Sequence, residues 1–155
     1  MRSLFVLAFV SSLVPACADD GNSNEPVDCV KETSDDEFVI GLSKTGVNGL
    51  YTFTMTSFSP APPARLLNEW QMSIMSTAAP AAPLAATETL AMTPYMPEHG
   101  HGAGIDVEIA PMPTAGEFKF STINLHMAGI WEVTVEVDPG ASNYDKVVFK
   151  PCIPE

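Results

Sequence analysis

Apolar and polar residues alternate with a period of two along several stretches of the chain. In the clearest stretch, residues 131–137, every second residue is Trp or Val and the residues between them are Glu or Thr. This alternation places one face of a strand in a core and the other in water. Similar alternation, or a short apolar run, marks seven further segments, at residues 38–42, 51–56, 70–74, 90–92, 105–109, 118–120 and 146–150.

Helical periodicity is nearly absent, and two connections are rich in Ala and Pro. They span residues 59–65 and 77–86, and because proline cannot donate the N–H that a central strand needs, we expect them to be loops or edges. Seven to eight short strands without helices predict an all-β domain in which two antiparallel sheets pack as an immunoglobulin-like sandwich.

The N-terminus has the pattern of a secretory signal. Arg2 precedes an apolar run over residues 4–14, which is too short for a membrane span of about 20 residues. The sequence Val14-Pro15-Ala16-Cys17 resembles a bacterial lipobox. The resemblance implies a signal peptide over residues 1–16, lipidation of Cys17 and a membrane-anchored lipoprotein of the bacterial cell envelope. An ordinary signal peptide followed by a free cysteine is the alternative.

Two cysteines remain if Cys17 carries lipid. Cys29 lies before the first predicted strand and Cys152 after the last. Exported proteins meet an oxidising compartment in which paired thiols form disulfides. The sequence therefore predicts a Cys29–Cys152 disulfide that joins the two ends of one domain.

The segment between the signal and the body is acidic and polar. We interpret residues 17–36 as a flexible tether, because so polar a segment buries too little apolar area to order itself, and residues 37–155 as the sandwich domain. The formal charge of the whole chain is −12. Nucleic acids and anionic lipids require basic patches, so we expect no nucleic-acid partner.

The segments at residues 49–51, 68–72, 96–102 and 127–133 together resemble the YtkA-like domain family, which overlaps with FixH-like proteins. The most specific of them is Met96-Pro97-Glu98-His99-Gly100-His101-Gly102. The resemblance implies an exported β-sandwich, often tethered to the membrane, but no settled activity.

The same loop holds the candidate chemistry. If residues 99–101 are extended, His99 and His101 point to the same side, and Met96 can join them through the turn at Pro97. His126 lies before the strand of residues 131–137 and joins this set if the loops converge. Imidazole and thioether ligands favour copper, especially Cu(I). The simpler interpretation is that the histidines fix a turn and the methionines fill the core.

Enzyme motifs are lacking. There is no G-x-S-x-G elbow, no phosphate loop and no C-x-x-C pair, and three histidines are few for a copper redox enzyme. We therefore expect no catalytic residues. Two functions remain open: a copper carrier or assembly factor of the envelope, and a non-catalytic module that contacts another envelope protein through a sheet edge or loop.

Overall fold

The described part of the chain is an all-β domain. The structure, a computed structural model, describes residues 28–31 and 35–155. The predicted signal peptide and the predicted lipidation of Cys17 lie outside the described residues. No helix in the described ranges is long and apolar enough to cross a membrane.

Eleven strands follow one another along the chain. In order, they are β1 (Ser43–Thr45), β2 (Tyr51–Ser59), β3 (Leu66–Ser76), β4 (Leu90–Met96), β5 (His101–Gly102), β6 (Glu108–Pro111), β7 (Glu117–Leu125), β8 (Gly129–Ile130), β9 (Glu132–Val137), β10 (Asp145–Phe149) and β11 (Cys152–Ile153).

The strands form two main antiparallel sheets. One sheet has five strands in the order β1-β2-β3-β7-β6, and the other has four in the order β10-β9-β4-β5. A small two-stranded pair, β11-β8, lies beside them. The predicted antiparallel β-sandwich is confirmed.

The core lies between the sheets and is filled by the inward residues of the alternating segments. Trp70 and Phe120 come from the larger sheet, and Trp131 precedes β9, whose inward valines complete that side. All three aromatic side chains are fully buried. Burying a large apolar side chain stabilises the fold by about 1.5–3 kcal/mol, so the period-two pattern accounts for where the core sits.

Two predicted strands differ from the structure. Residues 38–42 form no strand: the Leu42 amide bonds to Val39 O at 3.0 Å in a turn, and Gly41 has a φ of 93°. Phe38 packs instead against the ring of Trp70, with centroids 5.0 Å apart. Of residues 105–109, only the last two belong to a strand, β6. The Gly41 amide and the Leu42 carbonyl are nonetheless bonded to Met55 of β2, both at 2.8 Å, so the end of this run lies along β2 without forming a regular strand.

A buried carboxylate holds the turn between β1 and β2 against β10. Asp145 is fully buried and accepts hydrogen bonds from the amides of Asn48 and Leu50, both at 2.8 Å. The amides of Tyr51 and Lys146 donate to it at 3.1 and 2.9 Å. A Cβ at Gly46 would overlap this carboxylate, so glycine is required there by space.

The predicted disulfide is present. Cys29 and Cys152 are bonded, with their Cα atoms 5.6 Å apart. Cys152 lies on β11 and pairs with Ile130 of β8. Asp36 is also tied to the domain, because its amide donates to Lys150 O at 2.8 Å and its carboxylate contacts Lys44 Nζ at 2.6 Å.

Candidate metal-binding site

The histidine loop is a tight hairpin between β4 and β5. The Met96 carbonyl accepts the amides of His99 at 3.3 Å and Gly100 at 2.9 Å. Gly100 has a φ of 68°, a conformation that glycine adopts without steric cost. His101 is paired with Met96 across the two strands, and directly opposed residues of an antiparallel pair share a face. The hairpin thus places His101 and Met96 on one side and His99 at its exposed tip.

The structure brings all three histidines together. The ring centroids of His99 and His101 are 5.8 Å apart, with 29° between the ring planes. Those of His101 and His126 are 5.3 Å apart, with 21° between the planes. His126 follows β7, which belongs to the other sheet. The convergence that the sequence left conditional is therefore present, and we call these three residues the histidine cluster.

Trp131 is the base of the histidine cluster. Its ring meets that of His126 at 5.3 Å and that of His101 at 6.3 Å between centroids, each edge-on at 70°. Its Nε1 donates to the Met127 carbonyl at 3.0 Å. This bond fixes the indole beneath the chain segment that carries His126.

His126 has a ring nitrogen with no hydrogen-bond partner. Its Nδ1 is buried and unbonded, although its backbone carbonyl accepts a bond from Arg65 at 3.3 Å. Buried polar atoms without partners are rare in folded proteins, because each costs about 1–3 kcal/mol. By contrast, Nδ1 of His101 lies 3.1 Å from the Gly102 carbonyl, which leaves its other nitrogen for a ligand.

Two thioethers lie beside the histidine cluster. Met96 is fully buried, and a Cβ at Gly129 would overlap its terminal methyl group. Met127 is half-buried and packs against the core. Met96 is therefore a core residue whether or not it binds a metal. Met127, which adjoins His126, is a second thioether near the cluster, and the sequence favoured it as a core residue.

Nitrogen and oxygen ligands alone do not complete a metal site in the described ranges. No three His, Cys, Asp or Glu side chains there converge on one point at metal-binding distances. Two imidazoles whose nitrogens lie about 2 Å from one ion have ring centres roughly 5–6 Å apart, and the separations of 5.3 and 5.8 Å match that range. The ring separations are therefore compatible with two imidazoles sharing one ion.

Sequence reasoning missed three residues at or near the histidine cluster. Trp131 looked like one more inward residue of a strand, Arg65 belongs to a Pro-rich connection, and Gly129 precedes a strand without an obvious role. The contact of Gly129 with Met96 depends on the pairing of two distant segments, which no local pattern reports. Trp131 could have been found only by its spacing from His126, five residues along the chain.

A second polar cluster, at the start of β4, is structural. Asp138 accepts the Thr89 amide at 2.8 Å and a bond from Asn143. Burial acts to raise the pKa of Asp138, but hydrogen bonds from Glu88, Thr89 and Asn143 outweigh it and lower that pKa. The bond with Asp138 in turn raises the pKa of Glu88. These contacts hold the turn after β9 against the residues that lead into β4.

Comparisons of the chain with protein-family models, with curated proteins and with solved structures gave no match. The resemblance to the YtkA-like family stays a prediction carried by the motif at residues 96–102.

Proposed function

We propose that this protein binds copper as Cu(I) at the histidine cluster and acts as a carrier or assembly factor in the cell envelope. The observation that carries the proposal is the meeting of three imidazoles from two sheets, one of which, His126, has a buried Nδ1 without a partner. A metal ion would give that nitrogen the partner it lacks in the protein.

The donor types select the metal. Two imidazoles and a thioether form a mixed soft set that suits Cu(I) better than Mg²⁺ or Ca²⁺, which prefer oxygen ligands. His101 and His126 would supply the nitrogens, with Met96 or Met127 as the sulfur. His99 is exposed at the hairpin tip, where it can meet an incoming ion first and pass it inward. An ion held by few ligands near the surface suits transfer rather than permanent storage.

The cellular setting of this proposal comes from the N-terminal pattern and from the YtkA-like motif. Both favour an exported domain that is tethered to the membrane, and the N-terminal pattern predicts the lipid on Cys17. An interaction module with structural histidines is the second candidate, and the edge-on packing of His101 and His126 against Trp131 favours it. Copper titration separates the two functions.

Copper binding is expected at one equivalent per chain and should quench Trp131, whose ring adjoins two ligands. The titration uses the purified chain, Cu(I) and a competing chelator, with tryptophan fluorescence as a second readout. A Trp70→Phe variant leaves Trp131 as the remaining tryptophan, since the chain has two. His101→Ala with His126→Ala should abolish binding. Acid should weaken it, because protons compete with the metal for imidazole nitrogen.

The thioethers are tested with a matched control. Met127→Leu and Met96→Leu change volume little, and at least one of them should weaken binding tenfold or more. Met75→Leu should leave copper binding unchanged, because Met75 lies at the far end of β3 from the cluster. The near end of β3 is Leu66, which pairs with Leu125, the residue before His126. The absence of stoichiometric Cu(I), or full binding by the histidine double variant, would contradict the proposal. The interaction module would then be the better function.

Lipidation of Cys17 is tested separately. Mass spectrometry of the protein isolated from membranes should find an N-terminal Cys17 that carries a diacylglycerol-sized addition. Cys17→Ser should release the protein from the membrane fraction while leaving copper binding intact. An unmodified N-terminus at any other residue would rule out the lipoprotein.

A further inference from the structure

The outer edge of β4 is only partly paired. On one side, β4 pairs with β9 over its first six residues, from Leu90 to Tyr95. On the other side it pairs with β5 at Tyr95 and Met96 alone. Among the described residues, positions 90–94 therefore have no strand partner on that outer side. This open edge is independent of the histidine cluster.

The backbone groups on that edge can be assigned. Thr89 directs its carbonyl towards β9, because it accepts the Asp138 amide at 2.8 Å. Successive residues of an antiparallel strand direct their N–H and C=O groups to alternate sides, so Leu90, Met92 and Pro94 direct theirs outward. Pro94 has no N–H to offer, and an outward edge position is where proline is tolerated in a sheet. The Pro94 carbonyl faces Gly102 of β5, 3.2 Å from the position of a Cβ there. The amides and carbonyls of Leu90 and Met92 are thus available to another strand.

A cleft lies along this edge. It has a volume of about 250 Å³ and is lined by residues 92–94 of β4 and residues 102–106 of the following connection. That connection is held by the other sheet, because its Ala103 and Asp106 carbonyls accept bonds from Asn124 and Thr122 at 3.2 and 2.9 Å. The cleft is smaller than the roughly 300–1,000 Å³ of small-molecule pockets. It suits an extended segment that runs along the strand better than a compact ligand.

The charges indicate which segment would fit. Asp106 is the charged residue of the cleft lining, and the exposed Glu108 follows on β6. Ile105, which is 46% exposed, offers an apolar contact at the rim. A second copy of this chain is a poor occupant, because each copy has a formal charge of −12 and like charges repel. A basic segment has complementary charge.

We propose that the open edge of β4 binds an extended, positively charged segment of a partner protein by strand addition. In this mode, main-chain hydrogen bonds supply affinity and alternate side chains supply specificity. Leu90 and Met92 pair with the incoming backbone, and Asp106 contacts a Lys or Arg of the segment. The proposal goes beyond copper binding and does not depend on it.

Hydrogen exchange on the full chain tests this proposal with three synthetic peptides. The first alternates Thr and Val between terminal Lys residues, the second replaces Lys with Glu, and the third is the Lys peptide with alternate amides methylated. At millimolar concentration, the Lys peptide should slow exchange of the Leu90 and Met92 amides at least tenfold. The Ala91 amide, directed towards β9, is the internal control. The Glu and methylated peptides should give little protection.

A charge reversal identifies the contact. Asp106→Lys should reverse the preference from the Lys to the Glu peptide, whereas Glu155→Lys, the same charge change at the chain terminus, should not. No protection of Leu90 and Met92 by millimolar Lys peptide would overturn the proposal, as would equal protection by the methylated peptide. Protection that grows with protein concentration alone would overturn it in favour of a second copy.

Discussion

Replacing Asp145 with alanine is expected to lower the free energy of unfolding by about 3–5 kcal/mol. The carboxylate is fully buried and accepts four backbone amides, from Asn48, Leu50, Tyr51 and Lys146. Without it, four amides in part-buried hydrogen bonds lose their partner, and an unsatisfied buried donor costs about 1–3 kcal/mol, less than additively. Urea denaturation monitored by tryptophan fluorescence measures the change.

Two further variants separate this contact from a general effect of lost charge. Asp106→Ala removes an exposed carboxylate and should change stability by less than about 0.5 kcal/mol. Gly46→Ala should be strongly destabilising in the natural chain, because its Cβ would overlap the carboxylate. It should cost much less when Asp145 is already alanine. Additive effects of Gly46→Ala and Asp145→Ala would contradict the proposed contact.

The sequence predicts those parts of the fold in which burial alternates along a single strand. In β9, inward valines alternate with Glu and Thr, and the buried and half-buried positions alternate in the same register. The apolar run at residues 38–42 has no such alternation. Its backbone makes one turn bond and two bonds to Met55 of β2 without forming a regular strand, and Phe38 packs against Trp70. Val39 and Ile40 of this run are exposed, so apolar character without alternation predicts neither burial nor a regular strand. Strand pairing depends on which backbone is near, and that is a long-range property.

The same distinction explains what was predictable at the histidine cluster. His99 and His101 are neighbours in the chain, so a single turn suffices to bring them together. His126 reaches them through the packing of the two sheets, and its position could be stated only as conditional on loop convergence. The role of Trp131 as the base of the cluster depends on that packing too. The unpartnered Nδ1 of His126 is a consequence of three-dimensional burial that no motif encodes.

Loss of the Cys29–Cys152 disulfide is the second large effect that we expect. The two cysteines are 123 residues apart in sequence, so the bridge closes a long loop in the unfolded chain. In the chain-entropy model a loop of about 100 residues corresponds to roughly 4.7 kcal/mol, and removing native disulfides typically costs 2–5 kcal/mol. We therefore expect Cys29→Ser with Cys152→Ser to lower the free energy of unfolding by about 2–5 kcal/mol.

The bridge also connects stability to the histidine cluster. Cys152 pairs with Ile130, and the adjacent Gly129 contacts Met96 beneath the hairpin. Both cysteines are half-buried and border a cavity of about 220 Å³, so a small reductant can reach them. Reduction of the natural chain should reproduce the stability of the double serine variant in urea denaturation. Reduction should not change the stability of the double serine variant itself, and Cys17→Ser should retain the full stability of the oxidised protein.

If the double serine variant unfolds at the same urea concentration as the oxidised chain, then the packing of the sandwich alone orders both ends of the domain. The native contacts of Asp36 with Lys150, which follows β10, and of β11 with β8 would then be sufficient without the covalent bond.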